Sequence, residues 1–251
     1  MKSLLTLLII TTQTLFALTS VAPVEIGDDA GLHGKLGVSL ETKRGNTDKD
    51  NYKASLRVTY DNNISYVTWA EISGEYGKSN TVEDTNKLYS HIRYIHKVTD
   101  EVVRAECFGQ IQTDKYKLLQ ERVVVGVGAR FRIFEIFEDG KGYAGVGALY
   151  EGIEYIEDDY HNPNESNLRV NSYLAYTVKF NEKSSFSYTF YYQPMYNEIN
   201  DYASSHDVEL KLHVYKELFL KIGIAYDNDS KPPVGVKRED FTQETMLLFN
   251  F

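Results

Sequence analysis

Residues 35–41 read Lys-Leu-Gly-Val-Ser-Leu-Glu, and residues 53–58 read Lys-Ala-Ser-Leu-Arg-Val. In the first stretch Leu36, Val38 and Leu40 share one face while Lys35, Ser39 and Glu41 share the other. In the second, Ala54, Leu56 and Val58 oppose Lys53, Ser55 and Arg57. Such period-two alternation marks extended strands, since successive side chains on a strand point to opposite faces. A helix repeats every 3.6 residues and does not alternate this way.

The same pattern continues to the C-terminus. Tyr66, Ala70 and Ile72 oppose Glu71 and Glu75; Leu88, Ile92 and Tyr94 oppose His91 and Arg93; Val103, Ala105 and Ile111 oppose Arg104, Glu106 and Gln110. Val123, Val125, Val127, Ala129 and Phe131 oppose Arg130 and Arg132, and Val170, Leu174, Val178 and Phe180 oppose Arg169, Asn171 and Lys179. Phe186, Tyr188 and Phe190 face away from Ser187 and Thr189, Val208, Leu210 and Leu212 from Glu209 and Lys211, and Leu220, Ile222 and Ile224 from Lys221. Finally Thr245, Leu247, Phe249 and Phe251 oppose Glu244 and Asn250. Residues 143–150 are apolar or Gly on both faces, so their orientation stays open. The reading predicts about twelve strands of roughly nine to twelve residues, the length a tilted strand needs to cross a bilayer.

Polar connections are expected to alternate between short ones, near 61–63, 99–101, 135–141, 181–184 and 216–217, and long ones, near 43–50, 77–84, 113–120, 152–167, 197–205 and 228–239. Short turns at one end and long loops at the other are the signature of an outer-membrane barrel. Pro163, Pro232 and Pro233 fall in predicted loops and Pro194 at a strand end, which spares the ladder interiors. Tyr60, Tyr66, Tyr94, Phe131, Tyr143, Phe180 and Phe186 lie near the short turns and are expected mostly on the apolar face, as an aromatic girdle.

A soluble sandwich also alternates, burying its apolar face and wetting its polar one. Here the polar face carries both signs of charge on neighbouring strands, which suits an enclosed wet lumen. The other face is nearly free of charge, as lipid requires, because Lys or Arg at mid-bilayer costs about 2–4 kcal/mol. The expected fold is therefore all-β, a single antiparallel up-and-down transmembrane β-barrel over residues 32–251, with residues 23–31 as an N-terminal periplasmic segment.

Residues 1–22 have the layout of a secretory signal peptide: Lys2, an apolar and hydroxylated run from Leu4 to Leu18, then Ser20 and Ala22. Cleavage is expected after Ala22, or a few residues away because Pro23 follows, with an uncleaved anchor as the alternative. The formal net charge of −9 and the lack of a dense basic run disfavour nucleic acid as a partner. A single cysteine, Cys107, excludes an intramolecular disulfide. Parity puts Cys107 on the lipid face and Trp69 on the lumen face.

The turn-like passages Gly45-Asn46-Thr47-Asp48 and Tyr226-Asp227-Asn228-Asp229-Ser230-Lys231-Pro232-Pro233 resemble those of the YdiY-like family of salt-induced outer-membrane proteins, a domain of unknown function. The resemblance spans about Leu32 to Phe251. It implies a barrel in the cell outer membrane and brings no catalytic residues with it. Leu247, Phe249 and the terminal Phe251 look like the signal read by barrel-assembly machinery.

No catalytic site is expected. Ser90 and His91 are adjacent on one strand, so they point to opposite faces and cannot share a triad. His33, His96, His161, His206 and His213 show no metal-ligand spacing, and neither metal nor cofactor is expected. Glu151, Glu154, Glu157, Asp158 and Asp159 read as a solvated external loop rather than a calcium loop. Gly126 and Gly128, and Gly145 and Gly147, are explained by close strand packing or lumen space. The lumen candidates are Lys35, Glu41, Arg57, Glu71, Arg93, Arg104, Glu106, Arg130, Arg132, Arg169, Glu209, Lys211, Lys221 and Glu244. Basic residues outnumber acids among them, which points to a small passive channel preferring anions. The alternatives are a non-conducting structural or stress-related envelope barrel acting through its external loops and, third, an outer-membrane enzyme. Expected partners are outer-membrane lipid and lipopolysaccharide, the assembly machinery and small solutes.

Overall fold

A strand with one apolar and one polar face needs a different environment on each side, and curling the sheet into a ring supplies both while leaving no edge. The computed structural model describes Ile26 and residues 30–45, 48–99, 102–134, 140–157, 161–181 and 183–251. The expected signal peptide and most of the segment 23–31 lie outside the described residues.

Twelve strands form: β1 (Gly31–Lys43), β2 (Lys49–Asp61), β3 (Tyr66–Ser79), β4 (Val82–Lys97), β5 (Val103–Asp114), β6 (Leu119–Phe134), β7 (Gly140–Tyr155), β8 (Glu165–Asn181), β9 (Ser184–Met195), β10 (Glu198–Tyr215), β11 (Leu218–Asp229) and β12 (Glu239–Asn250). Each pairs antiparallel with its neighbours in sequence, and β1 pairs with β12 to close the barrel. A 3₁₀ turn, Lys115–Lys117, joins β5 to β6. Among the described residues no helix is long and apolar enough to cross a membrane.

Both ends of the strand sequence lie at one rim, here the terminus end, with the turns at 62–65, 98–102 and 216–217; the opposite rim is the loop end. The β1–β2 ladder runs from Gly31↔Asp61 to Lys43↔Lys49, whereas the β1–β12 seam runs only from Lys35↔Asn250 to Val38↔Leu247. Reciprocal hydrogen bonds extend the seam, Gly34 N to Phe251 O at 2.7 Å and Phe251 N to Gly34 O at 2.9 Å. The Phe251 ring covers the Gly34 Cα, where a Cβ would collide with it.

The strands run 12 to 18 residues, longer than expected from the sequence, and two of the predicted long loops are tight hairpins. Asn80 and Thr81, both at positive φ (49° and 71°), turn β3 into β4, and Tyr196 and Asn197 turn β9 into β10. The sequence hides these extensions because polar residues occupy both faces near the loop end, so the alternation that marks a strand fades while the ladder continues. Longer connections remain at 156–164 and 230–238.

The outer face is apolar. Leu36, Val58, Ile72, Ile92, Val125, Val146, Leu174, Leu247 and Phe249 are exposed on it. Charged side chains on this face, Lys78, Glu121, Glu154 and Glu239, stand only toward the loop end. At the terminus end Tyr60, Tyr66 and Tyr94 form a ring-to-ring chain with centroids 6.0 and 5.4 Å apart. Tyr143, expected with them, instead points inward and is 4 % exposed; it packs under the Arg130 guanidinium, 3.8 Å from its ring centroid. Gly142 and Gly145 beside it gave the sequence no parity to read.

Candidate functional site

The interior divides by height. Toward the terminus end it is filled with apolar side chains: Val67, Trp69 and Ile95 of β3 and β4, with Ile26 packed against them, and Phe219, Met246 and Leu248 of β11 and β12. Above them rings lie over glycines of neighbouring strands. Phe108 covers Gly126, and Tyr173 covers Gly145, so that a side chain at either glycine would occupy the ring's own space. Gly128 and Gly147, paired in register, let the β6 and β7 backbones approach closely.

Trp69, His91 and Phe108 stack along β3, β4 and β5, with centroids 6.2–6.3 Å apart. The Arg93 guanidinium stands over both Trp69 (5.8 Å) and Phe108 (4.9 Å), an arrangement favoured by the negative faces of the rings. Arg93 also lies 3.6 Å from Glu106. The Tyr173 hydroxyl donates to the same oxygen, Glu106 Oε2, at 3.0 Å from β8, three strands away. Arg93 in turn faces the Tyr191 hydroxyl of β9, five strands from its own β4. These contacts cross the lumen rather than follow its wall.

The loop-end half is held by ions. Glu151 sits between two arginines, accepting from Arg122 at 2.7 and 3.0 Å and from Arg169 at 2.5 Å, and Arg169 reaches on to Asp201 at 2.9 Å. Glu151 is 2 % exposed and belongs to β7, so it is not part of a solvated acidic loop as the sequence suggested. The strand simply runs further than the alternation did. Glu154 and Glu157 are exposed, and Asp158 and Asp159 lie outside the described residues.

Above this network the 3₁₀ turn carries Lys117 into the mouth. The turn is capped by Asp114, whose side chain accepts from the Tyr116 amide at 3.1 Å, and ends at Leu118 in the left-handed region, φ 59°. Lys117 is fully buried, and its Nζ lies 3.5 Å from Asp240 Oδ2 on β12, halfway round the barrel. Burial lowers the Lys117 pKa to about 7 against the pull of Asp240, Asp114 and Asp227. The two longer loops meet over the same mouth: Asn162 Nδ2 donates to Val234 O at 3.3 Å and Val234 N to Asn162 Oδ1 at 2.9 Å. Beneath them lies a cavity of about 70 Å³, lined among others by Arg122, Arg169, Asp227, Asn228, Asp240 and Pro232.

The lumen candidates singled out from sequence are all buried or half-buried. Arg57 pairs with Glu71 (2.7 Å), Arg93 with Glu106, and Glu244 with Lys53 (2.6 Å) and Lys221 (3.4 Å); Lys221 also approaches Glu209 (3.9 Å) and Glu41 pairs with Lys49 (2.9 Å). Lys211 stands over Phe219 at 5.2 Å, and Arg104 donates to the Thr99 carbonyl at 3.0 Å near the rim. Lys35 and Arg132 are half-buried on the same inward face. The acids thus take up much of the positive charge that a count along the sequence left uncompensated. Sequence reasoning missed Lys117, Asp201, Asp227 and Asp240; for Lys117 nothing in a turn sequence announces a partner 123 residues away.

Ser90 faces outward and His91 inward, so no triad forms there. No three metal-ligating side chains converge among the described residues.

A closed twelve-stranded barrel with an apolar exterior and a charged, ring-packed interior is the architecture of a β-barrel membrane protein. The chain belongs to the family described as "Protein of unknown function, DUF481", whose family model matches residues 36–251. No curated protein matches it. Among solved structures it is similar to the COG4313 outer membrane channel from Pseudomonas putida F1, with 10 % identity, 94 % of this chain and 100 % of that one covered, and a TM-score of 0.55. It is also similar to the NanC porin (15 % identity, coverage 88 % and 98 %, TM-score 0.48) and to the KdgM porin (11 %, 86 % and 99 %, 0.47). At these identities the likeness concerns the fold.

Proposed function

We propose that the chain is an outer-membrane β-barrel whose lumen rests closed, so that it conducts little in its ground state and meets its surroundings mainly through the loop-end rim. The observation that carries this reading is the pair of cross-lumen contacts, Tyr173 to Glu106 at mid-height and Lys117 to Asp240 at the mouth. An open pore would leave those side chains solvated along the wall. The charge-free outer band supports a lipid environment, because burying a charge there costs about 2–4 kcal/mol. The short-turn end then faces the periplasm, and the terminal Leu247, Phe249 and Phe251 serve as the assembly signal on the strand that closes the seam.

A second reading is a gated channel for small solutes. It draws support from buried polar atoms without a protein partner in the lumen, Trp69 Nε1, His91 Nε2 and Glu106 Oε1, which water or a solute would satisfy. The likeness in fold to the outer membrane channel of Pseudomonas putida F1 is compatible with it. No catalytic role is proposed.

Conductance of the refolded protein in a planar bilayer, with heat-modifiable gel migration as proof of folding, tests both. A folded barrel that stays silent supports the closed reading. Steady ohmic conductance from the first insertion overturns it, and brief openings from a silent baseline favour the gated channel.

A further inference from the structure

Asp227 and Asp240 are direct ladder partners on β11 and β12, 5 % and 7 % exposed. Asp114, 5 % exposed, joins them from the opposite wall through the 3₁₀ turn. Carboxylates held near one another out of water repel, and they either take up a proton or draw in a cation. The one they have is Lys117, delivered by the chain itself. Lys87 and, beside Asp240, Lys237 are further cations near this group, and Asp207 adds further negative charge beside Asp227.

The fit is incomplete. Lys117 approaches Asp240 only to 3.5 Å, at the limit of a hydrogen bond. Asp227 Oδ1 and Asp240 Oδ1 are buried without a partner, and both residues line the 70 Å³ cavity beneath the loops. A tether of fixed length, anchored on the far wall, holds its ammonium where the strand allows rather than where the oxygens converge.

From this geometry we infer that the paired Asp227 and Asp240 form a socket for a primary ammonium group, with Asp114 beside it on the turn, that Lys117 fills it as a tethered occupant which latches the mouth, and that a free aliphatic primary amine can take its place. An untethered amine can move to meet the two open oxygens and donate a hydrogen bond to each. A quaternary ammonium, with the charge but no donor, cannot. The cavity leaves room for a short alkyl chain. Displaced from the socket, Lys117 would let the turn between β5 and β6 swing clear of the mouth.

The test uses the full folded barrel with propylammonium chloride as the probe, and tetramethylammonium chloride and sodium chloride at equal ionic strength as controls. In Lys117→Ala, propylammonium is expected to raise the urea midpoint of unfolding, as any ligand of the native state does, while neither control salt does so. The shift is expected to vanish in the double variant Lys117→Ala, Asp240→Asn. In the wild type, propylammonium is expected to speed trypsin cleavage after Lys115 by about tenfold, because cleavage reports local opening of the turn. This second readout stands even if Lys117→Ala does not fold. Equal effects of all three salts, or no effect of propylammonium in either measurement, would overturn the inference. Neither readout involves conductance, so its failure is distinct from failure of the closed-lumen reading.

Discussion

The two halves of the lumen solve one problem by different chemistry. Toward the terminus end the space is filled by rings and aliphatic chains laid over glycines, with Arg93 held between ring faces. Toward the loop end it is spanned by carboxylates and cations, with Glu151 between two arginines and Lys117 reaching the opposite wall. Ring packing is short-ranged and depends on shape, whereas ion pairs in a dry interior are strong but punish the loss of either partner. The ring-packed half should therefore resist small chemical changes and fail on volume, while the ionic half should do the reverse.

The sharpest way to break the comparison is Glu151→Gln, which keeps the volume and removes the charge between Arg122 and Arg169. Breaking a buried pair of this kind costs about 3–5 kcal/mol, and the expected loss is read by urea unfolding followed through the fluorescence of Trp69. An unchanged midpoint would mean that water already screens this network. In the ring-packed half the matching probe adds volume without charge. Gly145→Val should drive its side chain into Tyr173 and lower stability by about 1–3 kcal/mol, with loss of the folded band in heat-modifiable migration as the visible sign. Tyr173→Phe keeps the ring and deletes only the bridge to Glu106. It should cost about 1 kcal/mol and raise single-channel conductance if the bridge closes the lumen.

A pH-dependent effect is set by Lys117. Its folded pKa, about 7, lies below the unfolded value near 10.4, so between these limits the unfolded chain binds more protons than the folded one. Stability should then rise with pH from about 7 to about 10 and level off below 7, where both states carry the proton. Relative to Lys117→Met, the wild-type urea midpoint should be higher at pH 9 than at pH 6. An identical difference at the two pH values would show that the ammonium is solvated.

The barrel was legible in the sequence where one face meets lipid and the other a polar interior. Leu36, Val38 and Leu40, or Val123 to Phe131, announce strand and orientation together. Legibility ended where that contrast ends. Near the loop end both faces of β3, β4, β9 and β10 meet polar surroundings, so the hairpins at Asn80-Thr81 and Tyr196-Asn197 read as long loops. In β7 glycines on both faces erased the parity, so the inward side of Tyr143 could not be read. The candidates at Arg57, Glu71, Arg93 and Glu106 could be found because neighbouring strands set their partners. The contacts across the lumen could not, since register fixes which residues are adjacent along the wall but says nothing of what meets across the gap.

The seam has a consequence for how the barrel comes together. Every other ladder joins segments that follow one another along the chain, so each can zip from its own turn with little entropy lost in closing a loop. The β1–β12 ladder alone brings together residues some two hundred positions apart, and it is also short, from Lys35↔Asn250 to Val38↔Leu247. Eleven hairpin steps can build a curled ribbon that is nearly complete before the circle exists. Whether the product is a tube or an open sheet with two sticky margins then turns on a few rungs and on the Phe251 ring resting over Gly34.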